Sequence, residues 1–268
     1  MDQLWPRLVF LFLLAALLPA VGEIFQTRAS ASGRGLLVDH SDEYHHRDFV
    51  AVVSHELRTP LAAIQGYLET LEDDLKEGRK DDVPRYLEIL RKNTGRLIEV
   101  CSDLLLLSRI EREEPPREAC STAKLTEEAL TRLEGLRAEK NHAVEVSTQA
   151  ATVFADERQL SQVLNNLLEN AFRYMPIGGK VNVEWLPEPR GVRLVVRDNG
   201  PGIAPEHHAR LFERFYRVDS GRSRAQGGTG LGLAVVKSIA VAHGGKVWVE
   251  SRVGRGAAFH CYFPNDAT

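Results

Sequence analysis

Two long apolar stripes at helical spacing limit most strictly what this chain can become. Phe49, Val53, Leu57, Leu61, Ile64, Leu68, Leu71 and Leu75 follow one another at steps of three or four, which puts them on one face of an α-helix. The polar stretch KEGRKDD breaks the pattern, Asp82 is placed to cap, and Pro84 suits the first turn of a second helix. In that helix Val83, Leu87, Leu90, Thr94, Leu97, Cys101, Leu104 and Ser108 alternate steps of four and three, a heptad seam. Helices joined by so short a loop form an antiparallel hairpin. One hairpin cannot bury both stripes, so pairing with a second copy into a four-helix bundle is expected, and with it a homodimer. The prolines and charges of residues 111–116 stop the second helix.

Beyond Cys120 the pattern is mixed. A helix is expected over Thr122 to Glu139, short strands in AVEVS and TVFA, and a long helix opened by Asp156 and Gln159 as a capping box. KVNVEWL and GVRLVVRD read as one antiparallel pair, GKVWVES and AAFHCYF as another. Helices with a mixed sheet imply an α/β two-layer sandwich, so the fold class is α+β with the hairpin first. The boundaries drawn are 1–25 for an N-terminal hydrophobic segment, 26–44 for a linker, 45–112 for the hairpin and 120–266 for the sandwich.

With 34 Lys plus Arg against 37 Asp plus Glu, the net charge of -3 argues against a nucleic-acid binder held by phosphate contacts. Cys101, Cys120 and Cys261 are odd in number and scattered, which fits neither a disulfide framework nor a zinc site. The segment from Leu8 to Gly22 carries no charge and as a helix covers about 22 Å, short of the ~30 Å hydrocarbon core. Counted from Leu4 to Phe25 it reaches far enough for a single membrane anchor, the alternative being a cleaved signal. Arg28 and Arg34 follow it and favour a cytoplasmic C-terminal side, although Arg7 in front blunts the bias.

His55, in SHELRTPL, lies about 200° round the helix from Val53 and Leu57 and so off the apolar stripe. A neutral imidazole is a competent nucleophile, and Glu56 is placed to orient it or take its proton. Pro60 removes one helical hydrogen bond beside it and should bend the helix. The plain alternative is an exposed helix histidine. In QVLNNLLENAFRY, Asn166 and Asn170 are four apart and share a face. A carboxamide oxygen can ligate Mg²⁺ beside a triphosphate, and Arg173 can meet a phosphate. Asp198 ends a strand in RDNGPGI, where it can accept from an adenine amino group, with Gly200 and Gly202 making the turn. GGTGLGLAVVK puts Gly227, Gly228, Gly230 and Gly232 ahead of an apolar helix, where the backbone can approach phosphates. GRSRAQ, before it, reads as a lid. His40, His45 and His46, and His207 and His208, read as solvated surface, Trp185 and Trp248 as packing.

Together, over about Asp48 to Phe263, these stretches resemble the sensor histidine kinases of two-component systems. SHELRTPL is similar to the family's phospho-acceptor box, QVLNNLLENAFRY to its asparagine box, and DNGPGI to its first glycine box. LFERFYRVD is similar to the aromatic box and GGTGLGLAVVK to the second glycine box. Five motifs in order specify far more than any one. TPLAAIQGYLETL resembles the phosphate-regulon members in particular.

The resemblance implies a dimeric hairpin and an ATP-binding sandwich of the type shared with Hsp90-like ATPases and gyrase. It makes His55 the phospho-acceptor, Glu56 its base and Thr59 part of an ExxT pattern tied to phosphatase activity. It makes Asn170 the Mg²⁺ ligand, Asn166 its companion and Arg173 a phosphate contact, with Arg214 or Arg217 as a further one. Asp198 becomes the adenine reader, and Gly200, Gly202, Gly228, Gly230 and Gly232 the family's glycines. The implied partner is a cytosolic response regulator. Because ATP is cytosolic, the implied location is the inner membrane with the catalytic part in the cytoplasm, which favours the anchor. The linker is too short for a sensor domain. A nucleotide-binding pseudokinase acting through dimerisation, or an ATPase of the Hsp90 or gyrase type, are the alternatives.

Overall fold

The first apolar stripe lies on a helix longer than its pattern requires. The computed structural model describes residues 40–218 and 228–265, with side chains from Ala51 onward. The hydrophobic N-terminal segment, the linker up to residue 39, the side chains of His40, His45 and His46, and the lid with Gly227 lie outside the described residues. Helix α1 spans His40–Lys76 and runs through Pro60 without interruption. Helix α2 spans Val83–Ile110 with Pro84 in its first turn, as expected. Asp82 does stand at its N-cap, but with φ -90° and ψ -5° its side chain makes no capping hydrogen bond. A capping carboxylate needs an extended backbone to turn onto the first helical N–H groups. Asp74 organises the loop instead, accepting from Arg79 Nε at 2.9 Å and from the Tyr86 hydroxyl at 3.0 Å.

Burial along the hairpin is uneven. Val100, Leu104, Leu107 and Ile110 are buried, whereas Leu68, Leu75 and Leu87 are exposed. Cys101, expected in a core, is half-buried. Apolar residues left open at seam positions are what an unpaired half of a helical bundle presents.

The second half starts with β1 (Glu118–Ser121), which pairs antiparallel with β3 (Thr152–Ala155). The expected helix over 122–139 is divided at Leu133 into α3 (Thr122–Arg132) and α4 (Glu134–Glu139). Next come β2 (Ala143–Thr148), α5 (Glu157–Tyr174), β4 (Lys180–Glu188) and β5 (Gly191–Asp198). After the short α6 (Pro205–His208) follow α7 (Gly232–Ala242), β6 (Lys246–Ser251) and β7 (Ala257–Pro264). The sheet order is β2-β4-β5-β7-β6, with β2 parallel to β4 and the other pairs antiparallel. Both hairpins expected from the sequence are present.

Helices α3, α5 and α7 form the second layer. Val181, Val183 and Trp185 alternate inward on β4 and are fully buried, as period-two packing requires. Trp185 Nε1 donates to Thr126 Oγ1 at 2.9 Å, so the indole's polar atom is satisfied inside the core. Only half of the expected capping box forms. Asp156 accepts from Gln159 N–H at 2.9 Å, but the Asp156 N–H donates to His243 Nε2 at 3.0 Å rather than to Gln159. His243 is fully buried after α7, with Nδ1 2.8 Å from the Ile239 carbonyl. Burial pushes its pKa down, so it stays neutral and ties the end of α7 to the start of α5.

Candidate active site

Helix α5 buries Leu160, Val163, Leu164, Leu167 and Leu168 against the sheet. Its opposite face is left to line a cavity of about 790 Å³, a size that suits a nucleotide-scale ligand. Asn166, Asn170, Arg173, Asp198, Gly202, Gly228, Gly230 and Gly232 all lie in its wall. Residues spread over 67 positions of the sequence, from 166 to 232, thus come together as the motifs require.

The two asparagines are differently employed. Asn166 Nδ2 donates to the Gly232 carbonyl at 3.1 Å and its Oδ1 accepts from Gln162 Nε2 at 3.2 Å. It fixes the start of α7 against α5. Asn170 stands one turn further along the wall, and Arg173 pairs with Glu169. A cavity oxygen of the Asn170 type fits Mg²⁺, which takes one or two protein oxygens and completes its shell with phosphate and water. Among the described residues no cluster of three His, Cys, Asp or Glu offers a self-sufficient metal cage.

Asp198 closes β5. Its Oδ1 accepts from the Gly200 N–H at 2.8 Å and the Ala257 N–H at 3.3 Å. One oxygen is thereby held by the backbone while the carboxylate faces the cavity. Burial raises its pKa, and the two backbone donors partly offset this. Gly200 does not line the cavity; it sits behind Asp198, where a Cβ would lie 2.8 Å from Oδ1. Gly202 has φ +71°, and a Cβ there would lie 2.0 Å from the Arg252 carbonyl oxygen. Gly256, which the sequence reading passed over, has φ +76° and would put a Cβ 2.0 Å from the Asp198 carbonyl oxygen. Only glycine fits either place. Gly232 is different, since a Cβ would make only ordinary contact, 3.6 Å from Asn166.

Helix α2 supplies a wall that the sequence reading missed. Ile98, Glu99, Ser102 and Asp103 line the same cavity. Thr229 Oγ1 donates to Asp103 Oδ2 at 3.3 Å and accepts from the Leu231 N–H at 3.2 Å. Burial, together with the charges of Glu99 and Glu169, pushes Asp103 up to about 6 despite the Thr229 hydroxyl. Glu99 is raised for the same reasons, against the pull of Arg173 and Arg96. The aromatic box is pinned to the second glycine box. Phe215, at φ 62°, donates its N–H to the Gly230 carbonyl at 2.9 Å. His207 and His208 are half-buried rather than solvated, with His207 Nδ1 2.7 Å from the Tyr216 hydroxyl and His208 Nε2 3.0 Å from the Ile203 carbonyl.

His55, Glu56 and Thr59 do not reach that cavity. The His55 side chain is 61% exposed, as its place off the stripe requires, and Nδ1 lies 3.9 Å from Glu56 Oε1. Thr59 Oγ1 donates to the His55 carbonyl at 3.2 Å. Glu56 lines a second cavity of about 320 Å³ with Arg210, Arg214 and Arg217. Arg217 borders both cavities, whereas Arg214 borders only the second and pairs with Glu111.

Comparison with known proteins finds family matches in both halves of the chain. Residues 45–113 match the His Kinase A (phospho-acceptor) domain and residues 155–267 the histidine kinase-, DNA gyrase B- and HSP90-like ATPase family. The chain belongs to the two-component sensor histidine kinases. It is 39% identical over 230 residues to the phosphate regulon sensor protein PhoR of Pseudomonas aeruginosa, covering 84% of this chain and 51% of that protein. Against the sensor histidine kinase WalK of Bacillus subtilis it is 36% identical over 227 residues, 83% of this chain and 37% of that one. The chain therefore spans about half or less of these relatives' length. The solved structure of the Acinetobacter baumannii histidine kinase AdeS superposes with a TM-score of 0.65 at 28% identity, over 80% of this chain and 98% of that one. The histidine kinase ThkA, solved in complex with response regulator protein TrrA, gives a TM-score of 0.65 at 24% identity, over 88% and 68% of the two chains, which shows the shared fold.

Proposed function

We propose that the chain is an ATP-dependent histidine kinase that phosphorylates its own His55 and passes the group to an aspartate of a response regulator. The observation that carries this reading is the pairing, in one chain, of a cavity built around Asp198 and Asn170 with an exposed histidine next to a carboxylate. Asp198 reads the adenine through its cavity-facing carboxylate, and the Asn170 oxygen is the one to hold Mg²⁺. Arg173 and Arg217 meet the phosphates, with the glycine backbone ahead of α7 close to them. Bound Mg²⁺ neutralises charge on the transferred group. His55 supplies the nucleophile and Glu56 takes its proton.

Thr59 lies one turn from His55, where its hydroxyl can orient a water toward the phosphorylated regulator, so the reverse reaction belongs to the same reading. The open seam of α1 and α2 takes a second copy of the chain as its partner. The Leu4 to Phe25 segment holds the chain at the inner membrane with the kinase on the cytoplasmic side. Among the described residues no helix is long and apolar enough to cross a membrane.

The test is incubation of the purified chain with Mg²⁺ and γ-labelled ATP. Acid-labile, alkali-stable label on the parent and none on Asn170→Ala supports the reading. An unlabelled parent that still binds ATP overturns it and leaves the pseudokinase alternative.

A further inference from the structure

Glu56 has a partner that no sequence motif announces. Arg96, forty residues on and across the hairpin, places an Nη atom 2.7 Å from Glu56 Oε2. Both side chains are largely buried, 16% and 15% exposed, in contrast with His55 beside them. Among the described residues only Oε2 of the carboxylate has a hydrogen-bond donor. The other, Oε1, is the one directed to His55 Nδ1, at 3.9 Å, and must close by about 1 Å to make a hydrogen bond. With Nδ1 on the Glu56 side, Nε2 is the nitrogen left to face a phosphoryl donor. Arg96 Nε is buried and has no hydrogen-bond partner among the described residues. A guanidinium left in this state is costly as mere glue between helices.

The charges around Glu56 show why an anchor is needed. On α1 its neighbour is His55, and on α2 it meets Arg96. From the catalytic half, Arg210, Arg214, Arg217 and Glu213 border the cavity that Glu56 lines. Three guanidinium groups thus border the same cavity as the carboxylate, with Arg210 paired to Glu213 and Arg214 to Glu111. Arg96 belongs to the hairpin and moves with His55, so its grip keeps Glu56 in register with the imidazole.

We propose that Arg96 is the positioning residue of the phosphorylation step, acting through Glu56. This rests on the reading of His55 as acceptor. In the step, the Nε2 electron pair forms the bond to the γ-phosphorus. The bond from that phosphorus to the β,γ-bridging oxygen breaks, and ADP leaves with its electron pair. The Nδ1 proton passes to Glu56 Oε1. Arg96 forms no bond in the reaction; it fixes which oxygen of Glu56 receives the proton.

The experiment compares the full chain with Arg96→Met and Arg96→Lys in initial labelling rate over a range of γ-labelled ATP concentrations, with a melting curve for each. Arg96→Met is expected to lower the rate at saturating ATP about ten- to a hundredfold, a part of what a general base contributes. Its KM for ATP is expected to stay at the parent value, and the chain to remain folded at the assay temperature although Glu56 loses its partner. Arg96→Lys, which keeps a cation on the same helix, is expected to recover most of the loss. An unchanged rate in Arg96→Met overturns the proposal. So does a loss accounted for by unfolding at the assay temperature or by the KM, since that is the behaviour of a structural staple. If the parent itself takes no label, the kinase reading fails first, whatever Arg96 does.

Discussion

The hairpin and the sheet domain handle their apolar residues in opposite ways. On α1 and α2, Leu68, Leu75, Leu87, Ile98 and Leu105 remain exposed, while in the sheet domain Trp185, Phe172, Phe263 and Ile239 are wholly enclosed. The chemistry is distributed in the reverse sense. His55 stands in the open on the hairpin, whereas Asp198 lies half-buried in the cavity wall, held by two backbone donors. A nucleotide site needs a rigid, dry cradle, which one chain can build from its own core. On the proposed reading His55 must be reached by two successive partners, and so it belongs on a surface. On the same proposed reading the hairpin completes its packing with a second copy of itself.

The largest effect that sharpens this contrast is on stability. Trp185→Ala removes a fully buried indole and leaves Thr126 without its donor, at an expected cost of about 3–5 kcal/mol. Leu87→Ala, at an exposed seam position, is expected to change unfolding of the separated chain by less than about 0.5 kcal/mol. Its effect should appear in the dimer dissociation constant, measured by sedimentation at several concentrations. Equal costs for the two substitutions in the unfolding of the separated chain would erase the distinction.

A smaller effect tests the seam between the regions, where α2 meets the second glycine box. Asp103 is raised from 3.8 to about 6 by burial. The folded chain therefore keeps this proton over a pH range in which the unfolded chain has lost it. The stability it contributes is full below about pH 4 and is lost as the pH rises through 6. Asp103→Asn removes the buried charge and retains an acceptor for Thr229. It is expected to raise the melting midpoint by a few degrees at pH 8 and to leave it unchanged at pH 4. A gain of the same size at both values would show that the carboxylate is not titrating there.

How much of this was legible in the sequence depended on range. The stripes of α1 and α2, the alternation of β4 and the N-cap of α5 are patterns within a few residues, and they read directly. The eight cavity residues were found because the motifs carry them, although nothing local brings Asn170 to Gly230. Arg96, Asp103, Thr229 and Gly256 were missed, because their partners lie 40 to 126 residues away or, for Gly256, in the backbone of another strand. His243 is the clearest case. It replaces Gln159 in the cap of α5 from the far end of α7, and a buried neutral histidine looks in sequence like any other.

The most direct test of the central claim, that acceptor and nucleotide site are separate parts of one kinase, uses His55→Gln. Its affinity for ATP with Mg²⁺ is measured first, and then its labelling by γ-labelled ATP at saturation. The account predicts parental affinity with no acid-labile label. Acid-labile label on His55→Gln at the parental level would place the acceptor elsewhere and contradict it.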